Sequence, residues 1–160
     1  MDGDVVTVER VIPAPPAAIF DLLADAAKHP LIDGSGTVKQ AKAGSPQRLS
    51  PGATFGMSMK VGIPYSMVNT VIEFEDDRRI AWQARPKGVM GRFTGGRIWR
   101  YELEPVDGGT RVRESWDLSQ DHQRAFLRRG ALPERTRQNM EKTLARIEEV
   151  LAGPPKEGEV

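Results

Sequence analysis

The chain contains no cysteine among its 160 residues. It can therefore form no disulfide bond, no thiolate nucleophile and no cysteine-rich zinc site. It also lacks the run of about 18 apolar residues that a helix needs to cross a bilayer. Its acidic, β-rich N-terminus does not show the basic and then apolar regions of a secretory signal. We therefore expect a cytoplasmic protein without a transmembrane segment.

An excess of charge of either sign is missing as well. Lysine and arginine number 23 against 22 aspartates and glutamates, which gives a formal net charge of +1. No global field would attract polyanions, so nucleic acid is not expected as a partner. The length suits one domain, which we place at residues 1–152, and residues 153–160 should form a disordered tail. The sequence leaves a monomer and a homodimer equally open.

Histidine is scarce, and the usual catalytic motifs are absent. His29 precedes Pro30 at a helix junction and His122 lies in a polar connection, so both are expected in surface or capping positions. Neither has a carboxylate at ligand spacing, and we expect no metal and no cofactor. The glycine-rich segment 91–96 lacks the lysine of a phosphate loop, and no serine lies in a nucleophile-elbow pattern. Ordinary hydrolase and nucleotide-binding mechanisms are therefore not expected.

The period of the apolar residues changes along the chain. Val5 to Ile12 predicts a first strand, and Pro15 to Asp25 predicts a short helix with prolines in its first turn. Residues 28–34 allow one more helical turn. From residue 38 to residue 118 the period is two, with Gly, Pro and Asp between the runs, which is typical of an antiparallel meander. Six strands are predicted there, at residues 38–42, 54–61, 65–75, 79–85, 95–105 and 110–118.

Alternation along these strands predicts one largely apolar sheet face. The residues assigned to it are Phe55, Met57, Met59, Val61, Ile80, Trp82, Ala84, Trp99, Tyr101, Leu103, Val112, Glu114, Trp116 and Leu118. All three tryptophans therefore lie on the same side. Their neighbours along the strands are mostly polar or charged, so the second face is expected to meet solvent.

The C-terminal segment predicts a long amphipathic helix from Pro133 to Leu151, which the glycine and prolines at residues 153–155 end. Met140, Leu144, Ile147 and Leu151 fall on one narrow stripe at helical spacing. An apolar stripe needs a partner surface. We expect the helix to dock on the apolar sheet face.

This order of elements comes with three sequence motifs. They are VTVERVIPAPPAAIFDLLAD near the start, V-x-E-F-x3-R-R-I-A-W from Val71 to Trp82, and YELEPVDGGTRV from Tyr101 to Val112. With the closing helix they resemble the START/Bet v1-like (SRPBCC) helix-grip superfamily, and within it the polyketide cyclase/dehydrase-like branch. The resemblance covers about residues 5–152. It implies an α+β fold with a curved seven-stranded antiparallel sheet around the last helix and two short helices between strands one and two.

The resemblance also implies a hollow between sheet and helix that holds lipids, polyketides or other apolar molecules. The residues expected to line it are Phe55, Met57, Met59, Trp82, Met90, Phe93, Trp99, Trp116, Met140 and Leu144. Aromatic and thioether side chains adapt well to flat apolar ligands. Cores use the same residue types, so solid packing remains the alternative at each position.

Glu114 and Tyr101 are the candidate catalytic residues. A carboxylate on an apolar face needs a partner or a raised pKa, so Glu114 could transfer a proton or anchor a ligand. The alternatives are that this end of the strand is exposed to water or that an arginine pairs with Glu114. The Tyr101 phenol could donate to a ligand carbonyl, or it could be satisfied by a backbone group.

Two surface features complete the candidates. Val89, Met90 and Phe93 lie among glycines in the connection at residues 86–95, which is either a lid over a cavity mouth or a plain hairpin loop. A basic run surrounds the start of the last helix and consists of Arg124, Arg128, Arg129, Arg135 and Arg137. It is either a solvated face or a surface for an anionic headgroup or an acidic carrier protein.

Three functions fit these features. The first is binding of a small hydrophobic or amphipathic molecule. The second is a cyclase or dehydratase that uses the same cavity, with Glu114 or Tyr101 moving a proton and with no metal or nucleotide cofactor. The third is a protein-interaction module without a ligand. Because the sequence offers one carboxylate and one phenol instead of an evident acid/base pair, binding is favoured.

Overall fold

The structure is a computed structural model that describes residues 1–36, 38–41, 48–61 and 63–153. For residues 39–41, 57–61 and 63–65 the description is of the backbone alone. The predicted lining residues Met57 and Met59 therefore have side chains outside the described part. The predicted tail beyond Gly153 also lies outside it.

Seven strands in the described ranges form one antiparallel sheet, in which consecutive strands from the second to the seventh lie side by side and the first strand lies beside the seventh. The strands are β1 (Val5–Ile12), β2 (Val38–Ala41), β3 (Thr54–Val61), β4 (Ile63–Glu75), β5 (Arg79–Pro86), β6 (Arg97–Val106) and β7 (Gly109–Asp117). Their order in the sheet is β1-β7-β6-β5-β4-β3-β2. The predicted α+β fold class is confirmed. The predicted and observed strand ends agree to within about two residues, which is the usual uncertainty at strand ends.

Two of the helices lie between the first and second strands, and two follow the last strand. They are α1 (Pro16–Leu23), α2 (His29–Ile32), α3 (Arg124–Leu127) and α4 (Leu132–Ala152), with single 3-10 turns at Ala26–Lys28 and Val89–Arg92. Helix α3 was not predicted, because four residues are too few to show a helical period. Pro16 occupies the first turn of α1, where its missing N–H costs nothing, and the helix buries Ile19, Phe20, Leu22 and Leu23.

Helix α4 buries the predicted stripe. Met140, Leu144 and Ile147 are at most 1 % exposed, and Leu151 is half-buried. The helix packs mainly against β1, with further contacts to β7, α1 and α2. The predicted docking of this helix on the sheet is confirmed, while its contact with the two N-terminal helices was not anticipated.

Gly34, just after α2, allows the close approach of that helix to α4. A Cβ atom added there would lie 2.3 Å from the carbonyl oxygen of Asn139 and 2.6 Å from the amide nitrogen of Thr143. The Gly34 N–H donates to the Thr143 hydroxyl at 2.9 Å. A side chain at this position would push the two helices apart.

The outer face of the sheet is more buried than the alternation of apolar and polar residues predicted. Ala81 and Ile98 lie on it and are buried at 0 % and 1 % exposure. Arg100 is the register partner of Ala81, and its guanidinium donates to Glu73 and Asp117. The expectation that this whole face meets solvent is therefore wrong at its centre, because a network of charged side chains covers small apolar residues there.

Candidate functional site

A row of tryptophans crosses the inner face of the sheet. Trp82, Trp99 and Trp116 are consecutive register partners on β5, β6 and β7. The Trp99 and Trp116 rings lie 6.3 Å apart, and Phe55 meets Trp82 edge-on at 5.6 Å. The prediction that one face carries all three tryptophans is confirmed. Such ring contacts fix the side chains of this face more firmly than area burial alone.

Glu114 and Tyr101 meet inside this face. They are register partners on β7 and β6, and the Tyr101 hydroxyl donates to Glu114 Oε1 at 2.8 Å. Glu114 is 2 % exposed, and within the described ranges its Oε2 atom has no hydrogen-bond partner. The two candidate catalytic groups thus form one buried pair.

Burial sets the protonation of this pair. Loss of solvation raises the pKa of Glu114 from 4.5 to about 8, the Tyr101 hydrogen bond opposes that rise, and the charge of Asp33 adds to it. Burial also raises the pKa of Tyr101 well above its ordinary value, with Glu114 adding to the rise. At neutral pH both groups are therefore protonated. Because Oε1 accepts from Tyr101, the carboxyl proton is best placed on Oε2.

His29 lies in the interior next to Trp82 and not on the surface. Its ring stacks on Trp82 at 4.9 Å and meets Phe55 edge-on at 5.4 Å. Its Nε2 atom lies 2.8 Å from the carbonyl oxygen of Leu23, so the capping part of the prediction is right and the surface part is wrong. Burial lowers the pKa of His29, which favours the neutral ring. The short helix α2 carries the residue inward, and no periodic signal in the sequence could show that.

An open groove of about 450 Å³ lies at one end of the inner face. Its described lining consists of Ser66, Met67, Pro86, Lys87, Met90 and Arg97. Met67 shares a face with Phe55, because β3 and β4 place Phe55 opposite Asn69. Arg97 precedes Trp99 by two residues on β6 and therefore lies on the same face.

The groove combines apolar walls with two cations. Met67, Met90 and Pro86 supply the apolar surface, while Arg97 donates to the buried carboxylate of Asp121 at 3.2 Å. In the described part of the chain no ion pair joins Lys87 to a carboxylate. Lys87 is therefore the cation free to meet a ligand. A smaller hollow of about 170 Å³ lies at the opposite ends of these strands, where arginines and glutamates neutralise one another.

Most of the predicted lining residues lie in the core. Phe55, Trp82, Trp116, Met140 and Leu144 belong to the buried cluster, and Trp99 is half-buried against it. Met90 is exposed and borders the groove. Phe93 is 70 % exposed and does not border it.

Five of the residues that line the groove were not predicted from the sequence to do so: Ser66, Met67, Pro86, Lys87 and Arg97. A signal was available for Met67, because it lies at a spacing of two from Asn69 and four from Val71 and therefore shares their face of β4. No sequence signal indicates that Arg97 lies near Met67, because that proximity depends on the register of β4, β5 and β6.

The family comparison agrees with this architecture. Residues 4–152 match the family model described as "Polyketide cyclase / dehydrase and lipid transport". The chain belongs to this family. A curated relative, "Uncharacterized protein Rv0088" of Mycobacterium tuberculosis, is 32 % identical over 108 residues, or 66 % of this chain. The match spans 44 % of that relative, so this chain aligns with less than half of it.

Solved structures share the fold at low identity. Protein CV1439 from Chromobacterium violaceum superposes with a TM-score of 0.71 at 16 % identity, over 95 % of this chain and 99 % of that one. DynU16, from the dynemicin biosynthetic locus, superposes with a TM-score of 0.67 at 15 % identity, over 94 % of this chain and 48 % of that one. At these identities the likeness establishes the helix-grip fold alone.

Among the described residues, no group of three or more His, Asp or Glu side chains is placed to hold a metal ion. No helix in those same ranges is both long and apolar enough to span a bilayer.

Proposed function

We propose that the protein binds a small amphipathic molecule in the groove lined by residues of β4, β5, β6 and the connection from β5 to β6. The observation that carries the proposal is the groove itself, whose volume of about 450 Å³ falls within the range of about 300 to 1,000 Å³ typical of ligand pockets. Its walls combine two methionines and a proline with Lys87 and Arg97. That lining suits an apolar body with one anionic or hydrogen-bond-accepting end.

The position of α4 supports the proposal. This helix packs mainly on β1, at the far edge of the sheet from β3 and β4. The inner face near Met67 therefore lies away from the main contact of the helix. Methionine side chains adapt to ligands of differing shape at low cost, which favours a class of lipids, polyketides or aromatic compounds over one rigid molecule.

The comparisons support the same class of ligand. The family description includes lipid transport, and DynU16 comes from a biosynthetic locus. Neither assigns a ligand to this chain. A cytoplasmic location, as the sequence predicts, would suit a carrier of such molecules.

Titration with a fluorescent fatty acid tests the proposal. Met67→Trp should weaken saturable binding, because the larger and stiffer indole narrows the groove and replaces an adaptable thioether in its wall. Ile72→Trp is the matched control, since Ile72 lies on the same strand, is 43 % exposed and does not border the groove. Absence of saturable binding to the unmodified protein, together with no co-purified ligand by native mass spectrometry, would contradict the proposal and favour an interaction module without a ligand.

A second candidate, an enzyme of cyclase or dehydratase type, is favoured by one observation. The Tyr101–Glu114 pair is buried, and Glu114 Oε2 lacks a partner in the described part of the chain. A neutral carboxyl group of this kind could donate a proton to a ligand carbonyl. Glu114→Gln should then abolish turnover of a bound polyketide while affinity persists. Unchanged turnover would remove Glu114 from this role.

A further inference from the structure

The four most exposed large apolar side chains of the described residues lie in two segments. Val89, Met90 and Phe93 belong to the connection between β5 and β6, and Phe126 belongs to α3. Their exposed fractions run from 61 % to 75 %, whereas no other large apolar side chain described exceeds 57 %. Large apolar groups clustered in water usually mark an interaction surface.

The two segments lie at the same end of the molecule. The His122 N–H donates to the carbonyl oxygen of Gly95 at 3.0 Å, and Arg85 Nη1 lies 3.5 Å from His122 Nε2. Phe126 follows His122 by four residues, so their Cα atoms are at most about 14 Å apart. We call Val89, Met90, Phe93 and Phe126 the apolar rim.

Positive charge surrounds the apolar rim. Residues 85–100 contain five lysines and arginines and no acidic residue, and residues 122–133 contain three arginines and no acidic residue. Arg97 and Arg100 pair with carboxylates elsewhere in the fold, so in the first segment the positive charge near the rim comes from Arg85, Lys87 and Arg92. The chain as a whole carries only +1, so this charge is concentrated locally. In the ranges described, Arg92 and Arg129 are exposed and form no ion pair with a carboxylate, whereas Arg128 pairs with Asp4.

We propose that the apolar rim docks on the surface of a bilayer that contains anionic lipids. Exposed apolar side chains next to unpaired cations are the combination that peripheral proteins use at such a surface. Phe93 and Phe126 would enter the interface while Arg92 and Arg129 contact lipid phosphates. The groove opens beside this rim, because Met90 borders both. A ligand could thus pass between bilayer and groove with little exposure to water.

Co-sedimentation with vesicles tests the proposal. The full chain should bind vesicles of phosphatidylcholine mixed with phosphatidylglycerol and should not bind vesicles of phosphatidylcholine alone. Binding should weaken as salt increases, because screening reduces the attraction between exposed charges. Absence of binding to the mixed vesicles at low salt would overturn the proposal. Binding to an acidic carrier protein with no binding to vesicles would overturn it as well and would indicate a protein partner.

Paired variants separate docking from folding and from ligand binding. Phe93→Ser with Phe126→Ser should lower vesicle affinity by about tenfold or more. Arg92→Gln with Arg129→Gln should lower it by about fivefold for each charge removed. None of these four residues borders the groove, so a fatty-acid titration of the same variants reports on the proposed function separately.

Matched substitutions elsewhere give the controls. Leu31→Ser removes an exposed apolar side chain outside the rim, and Lys142→Gln with Arg146→Gln removes two exposed charges from α4. Neither control should change vesicle binding. An equal loss in the controls would show that general charge or hydrophobicity, and not the rim, drives the association, and it would overturn the proposal.

Discussion

Replacing Glu114 by glutamine should remove a large pH dependence of stability. In the native protein, burial raises the pKa of Glu114 to about 8, whereas the unfolded chain ionises it near its ordinary value of 4.5. Between these values the native state holds a proton that the unfolded state has lost. The free energy of unfolding must therefore fall as pH rises from 4.5 to about 8 and then level off.

The size of the effect follows from the same two values. The gap between 4.5 and about 8 corresponds to a loss of about 5 kcal/mol at most. Glutamine stays neutral at every pH, keeps the shape of the acid and can still accept from the Tyr101 hydroxyl. The variant should therefore lie within about 1 kcal/mol of the unmodified protein at pH 5 and exceed its stability at pH 9 by several kcal/mol.

Urea denaturation from pH 5 to pH 9 measures this difference. The midpoint of the unmodified protein should fall relative to that of Glu114→Gln as pH rises, and the two curves should separate mostly below pH 8. Glu149→Gln is the matched control, because Glu149 is exposed on α4. Parallel curves for Glu114→Gln and the unmodified protein would contradict this prediction and show that Glu114 is ionised in the native state.

Two further predictions concern the contacts around α2. Because burial lowers the pKa of His29 below 6.5, the unfolded state takes up its proton first as pH falls, so stability should decrease on acidification below about 6.5. Proton NMR of the His29 ring, assigned with His29→Gln, should show titration below pH 6.5, and titration at or above 6.5 would contradict its burial. Gly34→Ala should destabilise the protein by about 1–3 kcal/mol in urea denaturation, since the added Cβ would overlap Asn139. Leu31→Ala is the control, and an equal effect would argue against the close approach.

Much of the fold could be predicted from the sequence, because the apolar residues of its helices and strands recur at regular spacings. The stripe through Met140 and Leu144 needs only helical spacing, and the assignment of Glu114 to the tryptophan face needs only alternation. Both predictions match the structure. The interior contact of Glu114 with Tyr101 follows once the register between β6 and β7 is known.

The groove could not be predicted in the same way. Met67 and Arg97 are 30 positions apart in the chain, and they line one space only because β5 lies between their strands. His29 was expected in a surface or capping position, because a histidine before proline gives no sign of a nearby tryptophan ring. Composition could not distinguish the filled interior around Met140 from the open groove around Met67, because cores and pockets share the same side chains.

We propose that a ligand binds beside Met67 and Met90. Labelling the methionine methyl groups with carbon-13 and titrating with a fatty acid tests that location directly by NMR. Binding in the groove should produce saturable shifts of the Met67 and Met90 methyl signals and leave the signal of Met140, which is 1 % exposed in the core, unchanged. A shift of Met140 without shifts of Met67 and Met90 would contradict it and place the ligand under the C-terminal helix.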